Sequence, residues 1–175
     1  LGDLLYPRRL DVYLGADPSW KRGAVLSGGF IVLGGPRQNP VAGELLRHWE
    51  GMVPFQLKQQ RTNRATTYVL HNRETGERWV PDSARAERVP NDFSDFGLVL
   101  KAPSPQTGKT CLLLAGCHAF GTHAAVRALS DARSVQALCR LLPSTHAHFT
   151  AVVQVRVRTF APEPPAIVDL EILGQ

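Results

Sequence analysis

The chain has 175 residues, of which 43% are hydrophobic and 20% charged, a balance that excludes a disordered chain and suits a single core. Its formal net charge of +5 favours anionic ligands, but the arginines are scattered and form no basic helix stripe, so we expect no nucleic-acid partner. No apolar run approaches the roughly 20 residues of a membrane-spanning helix, so we expect no membrane partner.

The three cysteines are too few and too irregularly spaced for a disulfide framework or a zinc site, which favours a reducing, cytoplasmic compartment. We expect neither a metal nor a cofactor. The chain begins at Leu1 without a leader sequence, so residues 1–175 are expected to form one α/β domain of a larger protein. The other domains of that protein would then be its partners.

The first half of the chain begins with two strand-like segments, residues 10–14 (LDVYL) and 30–33 (FIVL). A glycine turn at 34–36 follows. Asn39 before Pro40 then predicts the start of a helix over 41–49. Residues 67–81 carry two short β-like runs around a polar centre, which predicts an exposed hairpin.

Two further strands are predicted at residues 96–101 and 110–115, joined by a surface turn rich in proline and glycine. Asp92 and Asp95 precede the first of them. They are typical of a turn, or alternatively of an acidic loop near a ligand crevice.

After residue 116 the sequence becomes helical again, so the order of strand, glycine and helix occurs twice. The spacing of apolar residues predicts a helix over 134–142, with Leu138 on its buried face. Alternating segments near 150–160 and 167–173 predict two closing strands. Together these elements predict a three-layer Rossmann-like α/β domain: a central, mostly parallel sheet with helices on both faces and an inserted β-hairpin.

The first glycine corner predicts an anion site. Gly34 and Gly35 allow close approach of a ligand to the backbone, and the helix that begins after Asn39 offers free amides and a positive dipole. Glu44 lies in the second turn of that helix, where its carboxylate would bind ribose hydroxyls or stabilise an oxocarbenium ion. Alternatively, Glu44 is an ordinary solvated helix residue.

The second corner holds Gly116, Cys117, His118, Gly121 and Thr122. A thiol at a helix N-terminus is a candidate nucleophile, but neighbouring residues on an extended segment point in opposite directions. The favoured interpretation therefore packs Cys117 in the core and leaves His118 or Thr122 to line the crevice.

Residues 31–46 resemble the second conserved block of TIR domains and of nucleoside deoxyribosyltransferases, in which a strand, a turn of small residues and a helix with Glu before Leu follow one another. Residues 11–14 are similar to the opening TIR strand. The wider pattern GGPxxNP, FGLV and AGxxxxGTxAA resembles Rossmann-like domains of bacterial signalling and defence proteins. The resemblance spans residues 10–128, and it implies that Glu44 acts at the ribose carbon of an N-glycosidic bond.

Three functions remain open. The first is a regulatory domain that senses a nucleotide or another phosphorylated small molecule in a bacterial signalling or defence protein. The second is an NADase-like hydrolase of N-glycosidic bonds that uses Glu44. The third is a protein-interaction module that uses the hairpin at residues 67–81. Analogy of fold alone does not choose among them.

Overall fold

The computed structural model describes residues 29–61, 66–82, 91–105 and 108–174. The strand expected at residues 10–14 lies outside these ranges. In chain order the elements are β1 Phe30–Leu33, α1 Pro40–His48, β2 Phe55–Arg61, β3 Thr66–Asn72, β4 Arg78–Trp79, β5 Asp92–Pro103, β6 Thr110–Gly116, α2 Ala119–Ser130, α3 Ala132–Leu141, β7 Phe149–Arg158, β8 Ala161–Pro162 and β9 Ala166–Ile172.

The larger sheet has the strand order β1-β6-β5-β7-β8, and β9 also pairs with β7. Strands β1 and β6 are parallel, with Val32 opposite Leu113. Every other pairing in this sheet between described strands is antiparallel. The strands expected at residues 96–101, 110–115, 150–160 and 167–173 are confirmed as β5, β6, β7 and β9.

The expected three-layer Rossmann-like domain, with a mostly parallel sheet and helices on both faces, is wrong. The structure has instead a curled mixed sheet and a small antiparallel sheet. The connection between β5 and β6 explains the error, because it spans only residues 104–109. Parallel neighbours need a crossover of about a dozen residues, so this short turn makes β5 and β6 antiparallel.

The small sheet has the order β2-β3-β4 and is antiparallel throughout. Its β3–β4 unit confirms a hairpin within residues 67–81. Residues 73–78 around its turn are exposed as expected, but Leu70 and Trp79 are buried against Phe96 and Leu98 of β5. The apolar face of the hairpin is therefore occupied by the larger sheet and is not a free docking surface.

The strands of the larger sheet alternate between two packed faces. On β5, Val99 joins the core under α2 and α3, whereas Leu98 and Leu100 face the opposite side. Two elements cover that opposite side: α1, which contributes Leu45, and the small sheet. The end of β6 thus packs between α1 and the small sheet, and this packing fixes the position of the backbone that follows β6.

Helices α1 and α3 confirm the two helices predicted from spacing. In α3, Leu138 is buried as expected, but Cys139 is exposed and Ser134 takes a buried position. The Asp131 side chain accepts a hydrogen bond from the Ser134 N–H at 3.0 Å and caps the helix. No helix in the ranges described is long and apolar enough to cross a membrane.

Candidate functional site

The turn after β1, the end of β6 and the beginning of β3 enclose a cavity of about 400 Å³. Because β1 and β6 are parallel neighbours, their carboxyl ends lie side by side, and both glycine corners open onto this space. Its lining residues are Gly34, Gly35, Arg37, Gln38, Thr66, Thr67, Tyr68, Gly116, Cys117, His118, Ala119 and Thr122.

The structure brings together six of the eight residues expected to bind a ligand. They are Gly34, Gly35, Gly116, Cys117, His118 and Thr122. The other two, Asn39 and Gly121, lie beside the cavity without lining it. Residues of both corners therefore line one cavity, although the fold around them differs from the expected one.

A second cavity of about 260 Å³ lies between α1 and β2. Its walls include the core residues Trp49, Phe55 and Leu100. It contains neither glycine corner. The larger cavity at the ends of β1 and β6 is the better candidate, because it combines glycine backbone, an arginine and a histidine.

The side chain of Asn39 holds α1 in place. Its Oδ1 accepts a hydrogen bond from the Val41 N–H, and its Nδ2 donates one to the Leu33 carbonyl, each at 3.0 Å. Asn39 thus caps α1 and ties the start of that helix to the end of β1. The shape of the glycine turn depends on this residue.

The N-terminus of α2 sits directly on a glycine pair of the larger sheet. Gly97 of β5 lies opposite Gly116 of β6, and Gly121 of α2 contacts the backbone of β5. A Cβ atom at Gly121 would collide with the Phe96 carbonyl oxygen, and one at Gly116 would collide with the Thr122 nitrogen. Glycine is needed here for close helix–sheet packing.

Glu44 is half-buried on α1 and is not among the residues that line the 400 Å³ cavity. A carboxylate that acts on a ribosyl carbon must reach the ligand. The catalytic role that the resemblance implies for Glu44 thus stays a prediction without support from the cavity lining.

Cys117 is buried in the core between the two sheets. Burial and, to a smaller degree, the nearby Asp95 carboxylate raise the pKa of the Cys117 thiol well above its ordinary value. The thiol is therefore protonated at neutral pH, and Cys117 is a poor nucleophile.

His118 lies between two buried oxygen-bearing side chains. Its Nε2 is 2.9 Å from the Thr67 Oγ1, and its Nδ1 is 3.5 Å from the Asp95 Oδ1. The His118 side chain is 39% exposed, whereas that of Asp95 is fully buried. The result is a polar chain that runs from the core, through the imidazole, to the wall of the cavity.

Sequence reasoning missed Thr67 and Arg37, and its interpretation of Asp95 was wrong. Asp92 and Asp95 both lie within β5 rather than in a turn, and Asp95 is buried. A signal for Asp95 was present, because a carboxylate between Phe93 and Phe96 shares a strand with buried apolar residues. Thr67 gave no such signal, since it is 51 residues from His118 in sequence.

No group of three metal-ligating side chains occurs in the part of the chain that the structure describes. No protein-family model, curated protein or solved structure significantly matches this chain. The resemblance to TIR and deoxyribosyltransferase domains accordingly stays a prediction.

Proposed function

We propose that this chain is a sensing or regulatory domain of a bacterial signalling or defence protein and binds a nucleotide-like or other phosphorylated small molecule. The observation that carries the proposal is the single cavity formed by both glycine corners. Its volume of about 400 Å³ falls in the range of small-ligand sites, which is roughly 300 to 1,000 Å³.

Three features of the cavity suit an anionic ligand. Arg37 brings a permanent positive charge to its wall. Ala119 is the first residue of α2, and the first amides of a helix have no acceptor within it. Gly34 has a φ of 94° and no atom within 4 Å of an added Cβ, so the backbone turns tightly and leaves room for a ligand.

The two other functions receive less support. Glu44 does not line the cavity, which removes the geometric basis for an N-glycosidic hydrolase that uses it. The apolar side of the β3–β4 hairpin packs on the larger sheet, so an interaction module could not use that side of the hairpin.

The test is calorimetric titration of the purified chain with inorganic phosphate, AMP and ADP-ribose. We expect at least one nucleotide to bind more tightly than phosphate and to be recovered unchanged. Arg37→Ala removes a charge-assisted contact and should weaken binding about tenfold or more. The matched control is Arg140→Ala, on the exposed side of α3, which should bind like the parent. Absence of binding to all three probes, or binding unaffected by Arg37→Ala, would refute the proposal.

A further inference from the structure

We propose that Thr67 and His118, positioned by Asp95, form a catalytic pair that hydrolyses small carboxylic esters through an acyl intermediate on Thr67. The proposal uses the same cavity but does not require a phosphorylated ligand, so it stands independently of the sensing function.

The proposal assigns the proton of a neutral His118 ring to Nδ1, the nitrogen that faces Asp95. The Asp95 carboxylate, 3.5 Å away, can only accept a proton, which favours hydrogen on Nδ1, and in that tautomer Nε2 is an acceptor. The Thr67 hydroxyl has two acceptors in reach: Nε2 at 2.9 Å and the Tyr68 carbonyl at 3.4 Å. It therefore donates to Nε2, which is the arrangement of a hydroxyl nucleophile with its general base.

Asp95 is a positioning residue rather than a catalytic one. Its two oxygens accept the backbone N–H groups of Phe96 at 2.9 Å and Gly121 at 2.6 Å, which fixes the carboxyl group between β5 and α2. The 3.5 Å separation from the His118 Nδ1 is that of an ion pair, so Asp95 acts by stabilising the imidazolium once His118 has taken a proton.

Access and charge stabilisation come from the same cavity. Thr67 is only 5% exposed, but it lines the cavity together with His118. Ala119 also lines it, and its N–H is one of the first-turn amides that lack an acceptor within α2. This amide, together with Arg37, which also lines the cavity, is suited to hold the oxyanion of a tetrahedral intermediate.

The reaction balances without any further reagent. The Thr67 Oγ1 bonds to the acyl carbon while its proton passes to the His118 Nε2, and the ester C–O bond breaks as the alcohol takes that proton. Water then attacks the acyl-Thr67 ester. His118 accepts a proton from the water and returns it to the Thr67 oxygen, so the products are a carboxylic acid and an alcohol.

The test uses a fluorophosphonate probe, which reports the nucleophile without knowledge of the natural substrate. Attack by the Thr67 Oγ1 forms an O–P bond and expels fluoride, and His118 takes the proton. We expect one adduct per chain by intact mass, located on Thr67 by peptide mapping, and slow hydrolysis of p-nitrophenyl acetate by the untreated chain.

Matched variants distinguish loss of the reacting groups from loss of the folded structure. Thr67→Val should abolish the adduct, Thr67→Ser should restore it, and His118→Gln should lower the labelling rate about a hundredfold or more. Asp95→Asn should lower kcat for p-nitrophenyl acetate while KM changes little. Thr145→Val and His123→Gln, both at exposed positions, should label like the parent.

Circular dichroism of each variant shows whether it is folded. A folded parent without an adduct, an adduct on another residue, or failure of folded Thr67→Ser to react would overturn the proposal. In each of those cases the 2.9 Å contact would serve only to tie the small sheet to the larger one.

Discussion

The Asp95 Oδ2 accepts a hydrogen bond of 2.6 Å from the Gly121 backbone N–H. This contact joins the middle of the larger sheet to the first turn of α2. Because Gly121 has no side chain, the helix approaches β5 closely enough for a buried carboxyl group to reach its amide. The same carboxyl group faces His118, so packing and site geometry depend on one residue.

Replacement of Asp95 by alanine should destabilise the fold. It removes the acceptor of two backbone N–H groups, those of Phe96 and Gly121, and a buried donor left unsatisfied costs about 1–3 kcal/mol. We expect the free energy of unfolding to fall by at least that amount in urea denaturation. Glu74→Ala, in an exposed turn, is the control and should change it little.

Gly121→Ala tests the close approach of α2 to β5. The added Cβ would collide with the Phe96 carbonyl, so the helix must shift and the free energy of unfolding should fall by about 1–3 kcal/mol. Gly51→Ala is the matched control, because a Cβ there meets no atom within 4 Å. Equal thermal midpoints for the two variants would contradict the packing described for Gly121.

Local structure was predictable from the sequence where one segment carries its own signals. Asn39-Pro40 predicted the start of α1, and the apolar spacing around Leu138 predicted α3. Strand order was not predictable, because pairing of β5 with β7 joins residues that are between 48 (Lys101 and Phe149) and 66 (Asp92 and Arg158) positions apart in sequence. Each glycine corner was predictable because its turn is local, whereas the cavity forms only because β1 and β6 pair in parallel and bring the two corners together.

Thr67 was not predicted to lie at the cavity, because it is placed there by the packing of the small sheet on the larger one. Thr67 reaches His118 only because β3 lies across the end of β6. Strand β2 was not predicted either, because its sequence QLKQQ is polar and gives little alternation. The role of Thr67 and the strand structure of β2 both depend on the segments that pack against them, and their own sequences do not show this.

Leu138→Ala tests the packing of α3. Leu138 is 5% exposed and belongs to the core under α2 and β7. Its truncation leaves a cavity, and we expect the free energy of unfolding to fall by about 2–5 kcal/mol. Leu141→Ala provides the comparison on the same helix, since Leu141 is 55% exposed. A similar loss in both variants would contradict the packing described for Leu138, because alanine is the better helix former and the substitution itself costs no helix propensity.

His71 should make stability depend on pH. Burial, with smaller contributions from Lys58 and Arg78, lowers the pKa of His71 below its ordinary value of 6.5. Among the described residues its Nδ1 has no hydrogen-bond partner. Between the lowered folded pKa and 6.5 the unfolded chain binds more protons, so the free energy of unfolding decreases as the pH falls through that window.

The measurement is urea denaturation of the parent and of His71→Gln from about pH 7 to about pH 5. The variant should lose less stability than the parent over this interval. Burial and Lys101 also lower the pKa of His148. In the double variant with His71→Gln and His148→Gln, the free energy of unfolding should therefore depend still less on pH. Identical slopes for parent and variants would contradict this origin of the pH dependence.

Glu44→Gln distinguishes a helix residue from a catalytic carboxylate at the ribose. Because Glu44 does not line the cavity, we expect the variant to bind AMP and ADP-ribose with the affinity of the parent. The decisive measurement is nicotinamide release from NAD, followed by chromatography in parent and variant. An N-glycosidic hydrolase that uses Glu44 would lose most of its turnover in the variant while keeping its affinity, since the carboxylate acts mainly in the transition state. That result would contradict the placement of the ligand proposed here, because the ribose would then have to lie against α1.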